Sequence, residues 1–276
     1  LEEDDTLCWL ENRHLNSGMV DLWHCRDGNW QNHVARRNAV VAEAQFPMRT
    51  VADFCELGVV ANGTGLIPDR AALHAPLLRP VELADAFQCR SDGGLLADTG
   101  IIDVFNCLRR PDEMSFAGGV FVIVRCDNAK TWDLLRGKGH IVARNTKTAM
   151  LFIGQHTLGV EAPMSILSAA LLKLPTGAAA PEPRIDLAAR AARDFKQGEI
   201  LQITDPHHHA VGGLEPELIP AERDQADTPV PYYIATGRVL LMDVKKGTLL
   251  TWGMVDTDQA SRLYQLRQQQ NAWWHQ

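Results

Sequence analysis

Two stretches decide the reading of this chain: Arg193-Asp194-Phe195-Lys196-Gln197-Gly198-Glu199-Ile200-Leu201 and Met242-Asp243-Val244-Lys245-Lys246-Gly247-Thr248-Leu249-Leu250. Both carry Asp, an apolar residue, Lys, a free position, Gly, a polar residue, an apolar residue and Leu in that order. The glycine supplies the positive φ of a tight turn, and the apolar pair returns the chain to a core. The copies stand about fifty residues apart. Around them the texture is of short strands and turns, with Ala192–Leu201, Ala235–Val244 and Lys245–Leu250 as strand-rich pieces. This predicts a small all-β module over 188–257, followed by a helical, Gln-rich tail over 258–276.

Ala178-Ala179-Ala180-Pro181-Glu182-Pro183 precedes that module and reads as a linker, set at 178–187. Upstream of it, Ile101–Leu108, Gly119–Cys126 and Thr148–Gly154 are rich in β-branched and aromatic residues, as strands are. Gly119–Cys126 is almost continuously apolar, which predicts a strand buried on both faces. Helices are expected at Val34–Ala44, Thr50–Val60 with Thr50 as N-cap, Thr131–Gly137 and Glu161–Leu172. Asp92-Gly93-Gly94 marks a turn. The fold class is therefore α+β: a central mixed sheet with helices at 48–177, then the β module. Residues 1–47 carry Trp9, Trp23, Trp30, His14, His24 and His33 with weak periodicity, and read as an irregular segment apart from their one helix.

With 276 residues and 46% apolar content, the chain can bury a sizeable core. Its 27 Lys and Arg against 34 Asp and Glu leave a net charge of −7. That balance argues against a nucleic-acid partner, since a phosphate backbone asks for a basic face. It also argues against an anionic membrane surface. No stretch reaches the ~20 apolar residues that span a bilayer. The opening Leu1-Glu2-Glu3-Asp4-Asp5 is acidic where a secretory leader is basic, and it lacks an initiator Met, as expected of a processed chain or a piece of a longer reading frame. The six cysteines show no C-x-x-C pair and no disulfide framework, and are expected to be reduced thiols of a cytoplasmic protein.

The doubled Asp-apolar-Lys-x-Gly pattern resembles SAF domains, the small β-clip module, and Thr251-Trp252-Gly253-Met254-Val255-Asp256 resembles the usual exit from that module. The region before it adds Val60-Ala61-Asn62-Gly63-Thr64-Gly65-Leu66-Ile67-Pro68, Arg90-Ser91-Asp92-Gly93-Gly94, Gly119-Val120-Phe121-Val122, His156-x-x-Gly159-x-Glu161 and Pro175-Thr176-Gly177 in order. Together, from Val51 to Asp256, these resemble homoserine-dehydrogenase-like oxidoreductases that carry a SAF domain, the deoxyxylulose-phosphate-reductoisomerase-like enzyme among them. The resemblance implies an NADP cofactor held by an N-terminal Rossmann domain, a small-molecule substrate in the central domain, and a homo-oligomer formed through the sheet of that domain.

Two departures qualify what it implies. The dinucleotide fingerprint G-x-G-x-x-G is missing; Gly63-Thr64-Gly65-Leu66-Ile67-Pro68 puts Pro at the third glycine and follows a helix instead of opening one. A phosphate-cradling G-x-x-x-x-G-K-[ST] is missing too, so NADP is not expected to bind this chain alone. The family's helix also carries a Lys where this chain has Thr50-Val51-Ala52-Asp53, although Glu56 and Asn62 match.

The candidate catalytic residues are His156, Glu161 and Glu56, and the candidate substrate-binding residues are Asn62, Thr64 and Asp92. His156 can polarise a carbonyl and Glu161 can bind a hydroxyl. Glu161 equally suits a capping role in the first turn of a helix. Asn62 suits a helix end that tolerates left-handed φ, and Asp92 suits an Asx-turn. His207-His208-His209 is read as a solvated loop without a metal, because adjacent strand residues point to opposite faces.

These residues support an oxidoreductase segment that holds a small hydroxy or keto substrate, sugar-phosphate-like, and is inactive without a Rossmann domain. The alternative is a non-catalytic SAF-type carbohydrate-binding or accessory protein. A third reading is a fragment that still folds.

Overall fold

The computed structural model describes residues 23, 25, 28–43, 49–116 and 118–274, and the backbone of 7–9 and 13–15. Cys8, Trp9, His14 and His24, singled out in the sequence, therefore lie outside the described residues or have undescribed side chains. The fold is mixed α and β, the α+β class expected, and where a central mixed sheet was expected the sheets among the described residues are all two-stranded. It divides into two compact units. The first comprises the described part of Leu1–Met48 with His74–Thr99 and Val104–Thr176; the second comprises Arg49–Leu73, Gly100–Asp103 and Gly177–Gln276. The helix at 51–64 thus falls in the same unit as the C-terminal half.

In the first unit the helix Trp30–Glu43 turns one face inward, burying Trp30, His33, Val34, Arg37 and Val41 at 3.6-residue spacing. Part of the segment expected to be irregular is thus core. Trp30 and Val34 join Leu78, Leu83, Phe87, Phe116 and Met150 in one cluster. Arg37 is fully buried. Its guanidinium makes a two-pronged contact with Glu82 at 2.6 and 2.9 Å and also donates to the carbonyls of Leu77 and Trp23. Glu82 in turn accepts from the Arg79 amide. The Arg79 guanidinium lies 4.2 Å from the centre of the Trp23 ring. Trp23, Trp30 and His33 are buried packing residues.

Val120–Arg125 and Thr148–Ile153 form an antiparallel ribbon, from Val120 opposite Ile153 to Arg125 opposite Thr148. One face carries Phe121, Ile123 and Met150 onto the core. The other corrects the expectation of a strand buried on both faces: Val120 is 61% and Val122 56% exposed. Between the strands, Ala129–Gly137 is a helix whose N-cap Asn128 accepts from the amides of Lys130 and Thr131. Its Trp132 is buried and donates its indole N–H to the Cys126 carbonyl at 2.6 Å. Ile101–Leu108 is not one strand. Ile101–Ile102 pairs in parallel with Ile67–Pro68 in the second unit, and Asn106–Cys107 with Leu77–Leu78 in the first.

The second unit contains the helix Val51–Thr64. Thr50 caps it through its hydroxyl, which accepts from Asp53 N, and Gly65 ends it in the left-handed region at φ 79°. This helix packs on an antiparallel pair, Ile185–Ala191 with Leu214–Pro220. The expected linker therefore ends in a strand. The pieces expected as strands at Ala192–Leu201 and Ala235–Val244 are turns joined by single bridges, such as Phe195 with Val244.

The two echoing stretches pair with each other about a local twofold. Phe195 and Val244 exchange both backbone hydrogen bonds, at 2.8 and 3.0 Å. Gly198 N donates to Leu240 O, and Gly247 N to Ala191 O; Leu201 N donates to Arg238 O, and Leu250 N to Ala189 O. Each of these bonds maps onto its twin by a shift of 49, as from 198 to 247 and from 201 to 250. The side chains obey the same operation. Asp243 accepts from Gln197 N and Lys196 Nζ, both at 2.9 Å, while Asp194 accepts from Lys246 N at 2.8 Å and Lys245 Nζ at 2.9 Å. Both turn glycines sit at φ 86°. Beneath the turns, Phe195, Leu201, Tyr232, Val244 and Leu250 form the core with Val51.

Candidate functional site

Asp92 stands at the end of the short 3-10 turn Arg90–Asp92, which Gly93 closes at φ 94°. The next residue, Gly94, lies so close to the Gln88 carbonyl that a Cβ there would overlap the backbone, so the turn is fixed to the preceding segment. The Asp92 carboxylate, with its side chain only 8% exposed, is flanked by Arg125 at 3.2 Å and by the Lys147 ammonium. Arg125 comes from the end of one ribbon strand, and Lys147 from the turn that enters the other. Arg125 also reaches Asp127 at 3.5 Å, on the solvent side.

A polar cavity of about 310 Å³ opens beside this pair, lined by Gly28, Trp30, Asp85, Gln88, Asp92, Arg144 and Asn145. Its floor is a cross-linked set of amides. Gln88 Nε2 donates to Asn145 Oδ1 and Thr148 Oγ1, and Asn145 Nδ2 donates back to Gln88 Oε1 at 2.6 Å. Asn145 Nδ2 also reaches the Asp92 carbonyl. The rim is Arg144, whose backbone N–H and guanidinium both engage Asp85 and whose side chain lies over the Trp30 ring. A second cavity of about 210 Å³, lined by Cys126, Asp127, Ala129, Asn145, Thr146 and Lys147, shares Asn145 with the first. Three cations with half-exposed heads thus stand around two largely buried carboxylates. Such a wall offers donors to an anionic group and acceptors to hydroxyls.

His156 and Glu161 come together in the first unit, with Nδ1 3.7 Å from Oε2. Glu161 Oε1 also accepts from Thr157 N at the start of the helix Leu158–Leu167, the capping role that its position suggested. The His156 amide donates to Gly118 O. Glu56, Asn62 and Thr64 belong to the second unit. Asn62 is engaged by its own backbone surroundings: Oδ1 accepts from the amides of Arg184 and Ile185, and Nδ2 donates to Ile185 O. Thr64 Oγ1 donates to Val60 O one turn back. Glu56 is exposed beside Cys55 and contributes to raising that thiol's pKa, after burial, the larger cause.

His207 and His208 lie in a turn where Asp205 accepts from both amides, and His208 Nδ1 is 2.7 Å from Asp205 Oδ2. Among the described residues no group of three His, Cys, Asp or Glu is placed to hold a metal, and no helix is long and apolar enough to cross a membrane. Cys107 is pushed up to about 12, chiefly by burial, so it is a protonated and inert thiol at neutral pH.

Sequence reasoning missed Arg125, Arg144, Asn145 and Lys147. The only local signal was the polar run Arg144-Asn145-Thr146-Lys147, a turn in which Thr146 adopts φ 60°.

No curated protein matches this chain. Residues 46–162, which include Glu56, Asn62, Thr64, Asp92, His156 and Glu161, match the family described as oxidoreductase DRL, catalytic domain, and the match supports an oxidoreductase role for the chain.

Proposed function

We propose that this chain holds the substrate in an NAD(P)-dependent oxidoreductase acting on a small hydroxy or keto compound with an anionic, sugar-phosphate-like group. The observation that carries this reading is the cavity at Asp92. Its amide floor and two carboxylates suit hydroxyls, and Arg144 with Lys147 suits a phosphate or carboxylate. His156 is the residue in this reading that polarises a carbonyl, with Glu161 orienting its ring.

Among the described residues, the glycine-rich stretch nearest to a phosphate loop does not fit a dinucleotide. Gly63-Thr64-Gly65 sits at the C-terminal end of its helix, where the dipole is negative, and Gly65 N is already bonded to Ala61 O. No hydride step is therefore assigned to residues of this chain.

Titration calorimetry with small sugar phosphates, their unphosphorylated counterparts and NADPH tests the reading. Phosphorylated compounds are expected to bind, and Asp92→Asn to weaken them at least about tenfold, roughly 1.4 kcal/mol. Micromolar NADPH affinity for this chain alone would overturn the division of labour. A second reading, a non-catalytic carbohydrate-binding protein of the SAF type, draws support from the duplicated turns. Binding of neutral sugars with no preference for the phosphate, unaffected by Asp92→Asn, favours it.

A further inference from the structure

We infer that His156 meets its substrate through the Cδ2–Nε2 edge of the ring, and that Gly118 is the positioning residue that keeps this edge open. The inference rests on the reading of His156 given above. Val120 stands opposite Ile153 in the ribbon, so residues 118–119 and 154–156 run side by side just beyond its end. Gly119 N bonds back to Phe116 O at 2.9 Å, and the His156 amide donates to Gly118 O at 3.3 Å. Three glycines sit where these segments touch. A Cβ on Gly119 would lie 2.5 Å from the Phe116 ring and 2.8 Å from Gly154 O, and one on Gly154 would lie 2.9 Å from Met114 Sδ. A Cβ on Gly118, at φ 73°, would lie 3.0 Å from His156 Cδ2 and 3.1 Å from Nε2. The support under this turn is firm. Phe116 adopts φ 60°, a conformation that is costly for a bulky residue and persists only where the surroundings hold it. Its ring is buried and packs against Phe105 and Phe152, with centroids 5.6 Å from each. Gly118 therefore cannot back away from His156; the ring would have to move.

The other ring nitrogen is engaged. Nδ1 faces Glu161, 3.7 Å from Oε2, and Glu161 is held in turn by Thr157 N. A carboxylate on that side favours the tautomer with its proton on Nδ1 and leaves a lone pair on Nε2. The two nitrogens thus have separate duties. At Nε2 the neutral ring accepts a hydrogen bond from a substrate hydroxyl, and the protonated ring donates one to a carbonyl. The His156 side chain is 41% exposed, so a ligand can reach it. A side chain at position 118 would either cover Nε2 or push the ring off Glu161, and each outcome ends the arrangement.

Diethyl pyrocarbonate, which acylates an accessible unprotonated imidazole nitrogen, reads that edge without a ligand. Peptide mass spectrometry follows the rate at His156, with the exposed His207 as an internal reference. Gly118→Ala is expected to slow acylation of His156 by about tenfold. Gly139→Ala carries the same left-handed backbone cost, at φ 83°, with nothing within 4 Å of its Cβ, and is expected to leave the rate unchanged. Equal rates in Gly118→Ala and the wild type, or equal slowing by both variants, overturn the inference. The ring ¹⁵N shifts of the wild type, assigned with His156→Gln, need no glycine variant. Neutral His156 is expected to carry its proton on Nδ1, and Glu161→Gln, which keeps an acceptor for Thr157 N, is expected to lose that preference. A proton on Nε2 in the wild type overturns the inference. Both measurements are made without ligand, so their failure is distinct from a failure of sugar phosphates to bind, which would sink the reading of the site.

Discussion

The two units solve the same problem in opposite ways. In the second, each Asp-Lys-Gly turn completes the other, and the backbone and Asp–Lys bonds that join them come in pairs related by the shift of 49. Its core is closed by the same operation. The first unit also buries a hydrophobic core, but it leaves a polar cavity, an open strand edge at Val120–Arg125 and an apolar helical arm at 158–172 unpaired among the described residues. A self-complementary element has few groups left to offer a ligand. The residues with chemistry to spare therefore concentrate in the unit that lacks such symmetry.

The contrast can be broken most sharply at Arg37. Arg37→Leu removes the partner of buried Glu82 and orphans two carbonyl contacts, at an expected cost of about 3–5 kcal/mol to the first unit. Urea unfolding followed through tryptophan fluorescence measures it, and a loss under ~1 kcal/mol would deny the pair its structural role.

The twofold in the second unit is tested next. Leu201 and Leu250 are both fully buried and related by the shift of 49, so Leu201→Ala and Leu250→Ala should each cost about 2–4 kcal/mol and agree within ~1 kcal/mol. Unequal losses would show that the backbone symmetry does not extend to packing.

The smallest effect lies in the acid limb. Hydrogen bonds from Lys246 N and Lys245 hold Asp194 below the ordinary carboxylate value, and those from Lys196 and Gln197 N do the same for Asp243. A depressed folded pKa contributes stability that is present above the unfolded value of 3.8 and is lost as pH falls through the lower folded value. Stability should therefore fall below about pH 4, and Asp194→Asn with Asp243→Asn should flatten that limb while changing little in high salt, because both groups are exposed. A titration of the melting point of the double variant from pH 7 to pH 2 gives the comparison.

Local chemistry was legible in the sequence; distant pairing was not. Thr50 announced a capped helix, and the repeated glycines announced matching turns. Ile185–Ala191 is alanine-rich and follows two prolines, so only its ladder with Leu214–Pro220, itself carrying Pro216 and ending at Pro220, makes it a strand. Gly119–Cys126 looked doubly buried because hydropathy alone cannot tell a covered face from one left open. At the site, Asp92 was visible in its Asp-Gly-Gly turn. Its cations were not, since Arg125 lies 33 residues and Lys147 55 residues away in sequence. His156 and Glu161, five residues apart, were found together because a helix start brings them together.

The shift of 49 also sets a clock for biosynthesis. At ~5–20 residues per second the ribosome delivers Gly247 roughly 2–10 s after Gly198. Throughout that interval Asp194 lacks the amide and ammonium it will hold, and Phe195 lacks the strand residue it will face. The first turn must wait, unlatched, for a counterpart still being translated, and through that wait residues 193–201 lie open to a chaperone's grip.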